Sequence, residues 1–378
     1  MSQSLSSSAM DNSPHQLLDS TTSDTSSIDM DVQSTCDIVE STHPSDLYVI
    51  PIHWLAKLKR LWLWLGPTWL ISCTLLDPGA IEGSLEQGAF TGYQLIWVTW
   101  WATVMVFLFQ TIAGHIGIIT GKSLAQLINQ SPQYQHNTAV KYFIWIAVEV
   151  SVVGDDFQAV VGSVLALQLL FNIPFYAAVL LTCATTFVLT YLYYRAASKL
   201  ESVVGVMLFA MFICYLVNVV QSHAPAGKVL YGWVVPTTSS YGVLQLVGSI
   251  GGIVTPNALF LGSALVLNRP VDHRSPQSVQ SCIKYSTTEM SIGMIMSFLC
   301  NLFVIITFAS SFYSPTCAVQ QLAYVNGQCN DIGLDDAPDS LQQLYGTAAK
   351  YLFALALFCA AQNSMISATL AGQATFDG

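Results

Sequence analysis

Charge is what this sequence has little of. Only 9% of its 378 residues are Asp, Glu, Lys or Arg, against roughly a quarter in a soluble domain. That scarcity excludes an ordinary water-soluble enzyme. Lys and Arg are missing altogether from residues 1–50, which hold eight acidic side chains. The formal net charge of −10 is therefore mostly a property of the tail, and no basic patch is present for nucleic acid. Also missing are a nucleophile–base constellation, His and Cys at metal-ligand spacing, and a phosphate-binding glycine loop. These absences point away from an enzyme and from a bound cofactor. What is abundant is apolar: 53% of the residues are hydrophobic and mean hydropathy is +0.53. The body reads as all-α, a polytopic helical membrane protein.

Residues 1–50 form an acidic, Ser/Thr-rich segment with too little apolar surface to offset its ordering entropy, and are expected to be a disordered tail. They lack the charged start, apolar core and cleavage site of a secretory signal. Residues 51–378 form the membrane domain. Apolar stretches long enough to cross a bilayer, about 20 residues each, fall near 62–76 continuing to 80–90, then 92–119, 140–170, 173–193, 200–220, 241–268, 284–313 and 343–374. With the tail in the cytoplasm and alternating spans, ten of the twelve Lys and Arg residues lie at cytoplasmic ends, a positive-inside pattern. Lys228 falls in an outer loop and Lys350 inside the last span. The N-terminus is thus expected to be cytoplasmic. Cys317 and Cys329 share the outer loop between spans seven and eight, where either a disulfide or two free thiols is compatible with the sequence. Asn129 opens a glycosylation sequon, but on the cytoplasmic side.

The first and sixth stretches are interrupted, at Asp77-Pro78-Gly79 and at Thr255-Pro256. Breaking a membrane helix bares backbone groups that hydrocarbon cannot satisfy, which is tolerated where they line a cavity. Two breaks in corresponding places suggest an inverted repeat of five spans with a midplane site. A carboxylate at that depth, Asp77, costs roughly 2.5–3.5 kcal/mol on the insertion scale and should have a partner. Freed carbonyls and half-helix C-terminal ends suit a cation.

The stretch LGPTWLISCTLLDPGAIEGSLEQGAFTGYQLIWV, followed by GIITGKSLAQLI, resembles the first two spans of the Nramp divalent-metal transporters. The resemblance continues through VGDDFQAVVGSVLAL, GGIVTPNALFLGSALVLNRP and AQNSMISATLAGQ, from about residue 60 onward. It implies a LeuT-type inverted-repeat fold of eleven or twelve spans, of which this chain is expected to stop inside the eighth. Typical members carry Asp-Pro-Gly-Asn in span one and Met-Pro-His in span six. Their Asp, Asn and Met side chains bind manganese or ferrous iron, helped by carbonyls three residues before the Asp and the Met. Here Asp77 matches the Asp, Ala80 stands at the Asn, Thr255 at the Met and Asn257 at the His, with the carbonyl positions at Thr74 and Gly252.

Losing the thioether removes the soft donor that favours transition metals. Losing the Asn opens room for an ion that keeps its waters, as Mg²⁺ prefers. In span three the family pairs an Asp with a Glu; Asp156 matches the Asp and Ala159 the Glu, while Gly262 replaces a distal His. Asp155 adds a carboxylate beside Asp156. Glu149 matches a family Glu and reads as structural or as a relay remnant, and His115, at a family Arg position, reads as structural. Glu82 and Glu86, four apart, are read either as cation-attracting groups or as solvated charges. The leading expectation is a magnesium uniporter of the Nramp-related type, working with a divalent metal ion and the lipid bilayer. The alternatives are a proton-coupled manganese or iron transporter, and a transport-dead Nramp-like sensor.

Overall fold

The computed structural model describes residues 75–132, 138–195, 197–268, 271, 275–325 and 327–377. The tail at 1–50, the first half of span one, and the basic residues Lys57, Lys59, Arg60, Arg269 and Arg274 lie outside them. The described helices belong to one compact unit, Ala56–Gly378.

α1 (Pro78–Thr91) leads into α2 (Ile96–Thr120), which ends on left-handed Gly121, at φ 64°. A short α3 (Leu124–Gln130) follows, opened by a capping box: Ser123 Oγ accepts from Gln126 N while Gln126 Oε1 accepts from Ser123 N. α4 (Thr138–Phe171), α5 (Phe175–Arg195) and α6 (Ala197–Ser222) are long and apolar. α7 (Ala226–Val234) is a brief connecting helix. α8 (Val243–Ile253) and α9 (Pro256–Leu265) occupy the sixth stretch, with Val254 and Thr255 non-helical between them. α10 (Pro276–Phe312) precedes a short α11 (Pro315–Ala318). The hairpin of β1 (Ala323–Val325) and β2 (Gln328–Asn330) and α12 (Ala337–Tyr345) complete the connecting segment, and α13 (Thr347–Phe376) is the last described span.

Seven of these segments are long and apolar enough to cross a membrane. The span expected near 284–313 begins earlier, at Pro276. Ser275 Oγ accepts from Ser278 N and the proline's missing N–H costs nothing at the first helical position. The helix therefore extends past the apolar run that marks it in sequence. The stretch expected from 343 divides at Gly346, whose φ of 88° suits a residue without Cβ.

α10 and α13 are the most buried spans, whereas α5 presents most of its surface outward. The outward side chains of α4 and α5, such as Phe143, Phe157 and Phe187, are apolar, as lipid-facing residues are. Between spans, lipid offers no hydrophobic gain, so close backbone approach through small residues supplies the packing. Gly88 of α1 lies so near α10 that a Cβ there would sit 2.5 Å from the Ile305 carbonyl oxygen. Gly162 of α4 stands against Pro78, and Gly117 of α2 against the Ser263 carbonyl. These contacts fix α1 and α9, the two short helices that follow the breaks, among α2, α4, α10 and α13.

In the segment between α10 and α13, Cys317 and Cys329 form a disulfide, tying α11 to β2. Lys350, unexplained by sequence inside an apolar span, pairs with Asp339 at 2.5 Å.

Candidate metal site at the two breaks

The first break is built by Asp77. It caps α1 with extended backbone (φ −82°, ψ 163°) and its Oδ1 accepts from Ala80 N at 2.7 Å. Pro78 occupies the first helical position, where its fixed φ fits and no donor is lost. Asp77 is only 5% exposed. Just before it, the Leu75 carbonyl accepts from Asn301 Nδ2 of α10 at 3.1 Å, and Asn301 Oδ1 accepts from Ser84 Oγ at 3.2 Å. One amide from a neighbouring span thus binds Leu75 ahead of Asp77 and Ser84 beyond it.

The second break differs. Thr255 precedes α9 with extended backbone (φ −102°, ψ 134°) but makes no side-chain cap, and its Oγ1 is buried without a hydrogen-bond partner. Pro256 has no N–H, so the Gly252 carbonyl four residues earlier loses its helical donor.

The two breaks meet at a cavity of about 380 Å³ lined by Asp77, Gly79, Asp155, Gly252, Thr255 and Pro256 together with Ser151, Gln158 and three further glycines. No Lys or Arg is in its lining. Among the described residues no group of three or more His, Cys, Asp or Glu side chains is arranged to hold a metal ion. Any cation here would rely on two carboxylates, two hydroxyls, a carboxamide and carbonyls.

Of the residues singled out by sequence, Thr74 lies outside the described residues. Ala80 is buried and serves through its N–H to Asp77. Pro78 packs on Gly162 rather than lining the cavity. Asn257, 1% exposed, donates from Nδ2 to Asp155 Oδ2 and accepts at Oδ1 from Ala258 N at 2.9 Å. Asp155, not Asp156, reaches the cavity lining.

Ser151, Gln158 and Asn301 were missed. The first two had a signal: with Asp155 they are spaced four and seven residues apart, which aligns them on one face of an otherwise apolar span. Asn301 stands alone in FLCNLFVII, a buried amide that needs partners.

Around the cavity, α8 is tied to α1 by polar bonds. Gln245 Nε2 donates to Glu86 Oε2 at 3.0 Å, and Ser249 Oγ to Gln87 Oε1 at 2.7 Å. Glu86 is therefore bonded rather than simply solvated. Gln362 Nε2 donates to Ser163 Oγ at 2.6 Å, linking α13 to α4. His115 Nε2 shares a hydrogen bond of 2.9 Å with Thr287 Oγ1, in line with a structural role. In the segment between α10 and α13, burial and the neighbouring Asp335, Asp339 and Asp331 raise the Asp336 carboxyl above its ordinary value.

The sequence model of the family described as natural resistance-associated macrophage protein-like (Nramp) matches residues 68–378. A metal transporter, the nramp1 homolog of Dictyostelium discoideum, is 36% identical over 322 residues, covering 85% of this chain and 57% of that protein. Metal transporter Nramp3 of Arabidopsis thaliana is 36% identical over 333 residues, 87% of this chain and 62% of its own. The chain spans about three fifths of the length of these curated relatives, which are transporters and not enzymes. Among solved structures, the Eremococcus coleocola manganese transporter bound to an aromatic bis-isothiourea compound superposes with a TM-score of 0.70 at 24% identity, covering 89% of this chain and 69% of that one. That likeness gives the fold, the LeuT-type helical arrangement. The chain is an integral membrane protein that belongs to the Nramp family.

Proposed function

We propose that the protein moves divalent metal ions across a membrane through the cavity at its two breaks, with Mn²⁺, the ion named for the solved Eremococcus coleocola transporter, as the expected cargo. The carrying observation is the cavity itself, which gathers Asp77, Asp155, the uncapped Thr255 hydroxyl and Gly252 with no basic residue among them. Relatives at 36% identity are named metal transporters. Carboxylate, carbonyl and water ligands suit Mn²⁺ as well as Mg²⁺, so the lack of a thioether at Thr255 does not oppose manganese.

A second reading, magnesium transport, has its own support. The residues at Ala80 and Thr255 supply neither an amide nor a sulfur, and the cavity is wide. Six waters at about 30 Å³ each occupy on the order of 200 Å³, within its volume of about 380 Å³. Closeness to the Nramp-related magnesium transporters rests on those two positions alone. Uncoupled movement is supported by Ala159 and Gly262, which cannot carry protons. The cytoplasmic N-terminus is supported by the Lys and Arg distribution.

The test is reconstitution of the full chain in liposomes, following Mn²⁺ and Mg²⁺ entry with ion-specific dyes while recording internal pH. Metal entry without acidification is expected. No metal entry of either kind would overturn the transport reading, and Mn²⁺ entry with acidification and no Mg²⁺ signal would leave only a coupled manganese transporter.

A further inference from the structure

α4 lends the cavity more than one acidic residue. Ser151, Gly154, Asp155 and Gln158 form a single stripe of its lining. Asp155 is not free to turn, because Asn257 holds its Oδ2. Asn257 is itself buried and pinned through Oδ1 to the first turn of α9. The clamp joins α4 to the helix beyond the second break and leaves the other oxygen of Asp155 without a protein hydrogen bond among the described residues.

Gln158 reaches the first break. Its Oε1 lies against the Gly79 α-carbon, in the space that a Cβ at that position would need. Gly79 therefore admits a carboxamide oxygen from α4 to the turn where Asp77 sits. One residue on, Ala80 offers only a methyl group. The break that lacks its own amide side chain has one delivered from another span.

We propose that the divalent ion is held by two carboxylates, Asp77 and Asp155, and by the Gln158 carboxamide oxygen, with Asn257 as the positioning residue for Asp155. This deepens the proposed function and rests on it. Two carboxylates match the ion's charge, so the loaded site carries no net charge into a low-dielectric midplane, where an uncompensated charge is costly. The donor set is all oxygen, which favours hard divalent ions over thiophilic ones. It also assigns specificity to α4, outside the Asp-Pro-Gly and Thr-Pro segments.

Calorimetric titration of the purified full chain in detergent with Mn²⁺ and with Cd²⁺ tests this without requiring transport. Asp155→Asn is expected to weaken Mn²⁺ binding at least tenfold and Gln158→Leu several-fold. Gln158→Cys places a soft donor on the ion and is expected to tighten Cd²⁺ binding at least fivefold relative to Mn²⁺, a gain that a misfolded or merely loosened variant cannot give. Asp77→Asn serves as reference. If Asp77→Asn abolishes binding while the Gln158 and Asp155 variants bind like the unaltered chain, the added ligands are wrong and the site at the breaks stands. If the unaltered chain binds no Mn²⁺, or if Asp77→Asn binds unchanged, the proposed function itself fails and this inference with it. Gly79→Ala supplies a geometric check: it should weaken Mn²⁺ binding further than Gln158→Ala does, and the double variant should return to the Gln158→Ala value. A silent Gly79→Ala would overturn the placement of Gln158.

Discussion

The two breaks use the same local device, a proline at the first position of a short helix, yet they end in opposite states. At the first, the protein braces the turn: Asp77 Oδ1 caps Ala80 and Asn301 takes the Leu75 carbonyl, while the Asp77 carboxylate still lines the cavity. At the second, the Thr255 hydroxyl has no hydrogen-bond partner and the Gly252 carbonyl has lost its donor to Pro256. One break is braced by the protein and offers a carboxylate, whereas the other leaves a hydroxyl and a carbonyl without protein donors. A proline-led helix start can therefore be braced by neighbouring spans at one side of a site and left with unpaired oxygens at the other.

Separating charge from capping at Asp77 sharpens that contrast most. Asn caps a helix about as well as Asp, so Asp77→Asn should retain the melting temperature in detergent while metal uptake into liposomes falls at least a hundredfold. A variant that loses both together would mean that Asp77 is only a structural cap. Asn301→Leu attacks the bracing of the first break. It strands a buried carbonyl and the Ser84 hydroxyl, at a cost of about 1–3 kcal/mol, to be read as a clear drop in thermal stability. No drop would mean that the first break is as open as the second.

Thr255→Met targets the second break with little structural consequence expected, because the threonine hydroxyl bonds nothing. Cd²⁺ should become a several-fold better competitor of Mn²⁺ uptake, and an unchanged competition curve would remove Thr255 from the site. Far from both breaks, Lys350→Ala removes a partly exposed ion pair with Asp339 and should cost less than about 1 kcal/mol. A larger loss would show that stability is set by the segment between α10 and α13 rather than by the breaks.

Much of this was legible in sequence, for identifiable reasons. Long apolar runs leave little freedom in a bilayer, so spans such as Thr138–Phe171 and Phe175–Arg195 fall within two residues of their expected positions. Pro256 marks a helix start from chemistry alone. The start of α10 at Pro276 was less legible, because its first turns are polar and extend beyond the apolar run. Cysteine spacing could not choose between a disulfide and free thiols; the proximity of α11 to β2, with Cα atoms 5.3 Å apart, decides it. At the site, family pattern directed attention to Asp77, Thr255 and Gly252. It did not reach Gln158 or Asn301, since their roles depend on which spans touch. Asp155 and Asn257 were noticed separately, but the bond between them is a tertiary fact.

The most direct test of an all-oxygen site is competition during Mn²⁺ uptake by the full chain in liposomes, with Mg²⁺ and Cd²⁺ titrated separately. Hard-oxygen coordination predicts that Mg²⁺ in modest excess slows Mn²⁺ entry and that Cd²⁺ competes no better than Mn²⁺ itself. Strong inhibition by trace Cd²⁺, with Mg²⁺ without effect in large excess, would contradict it.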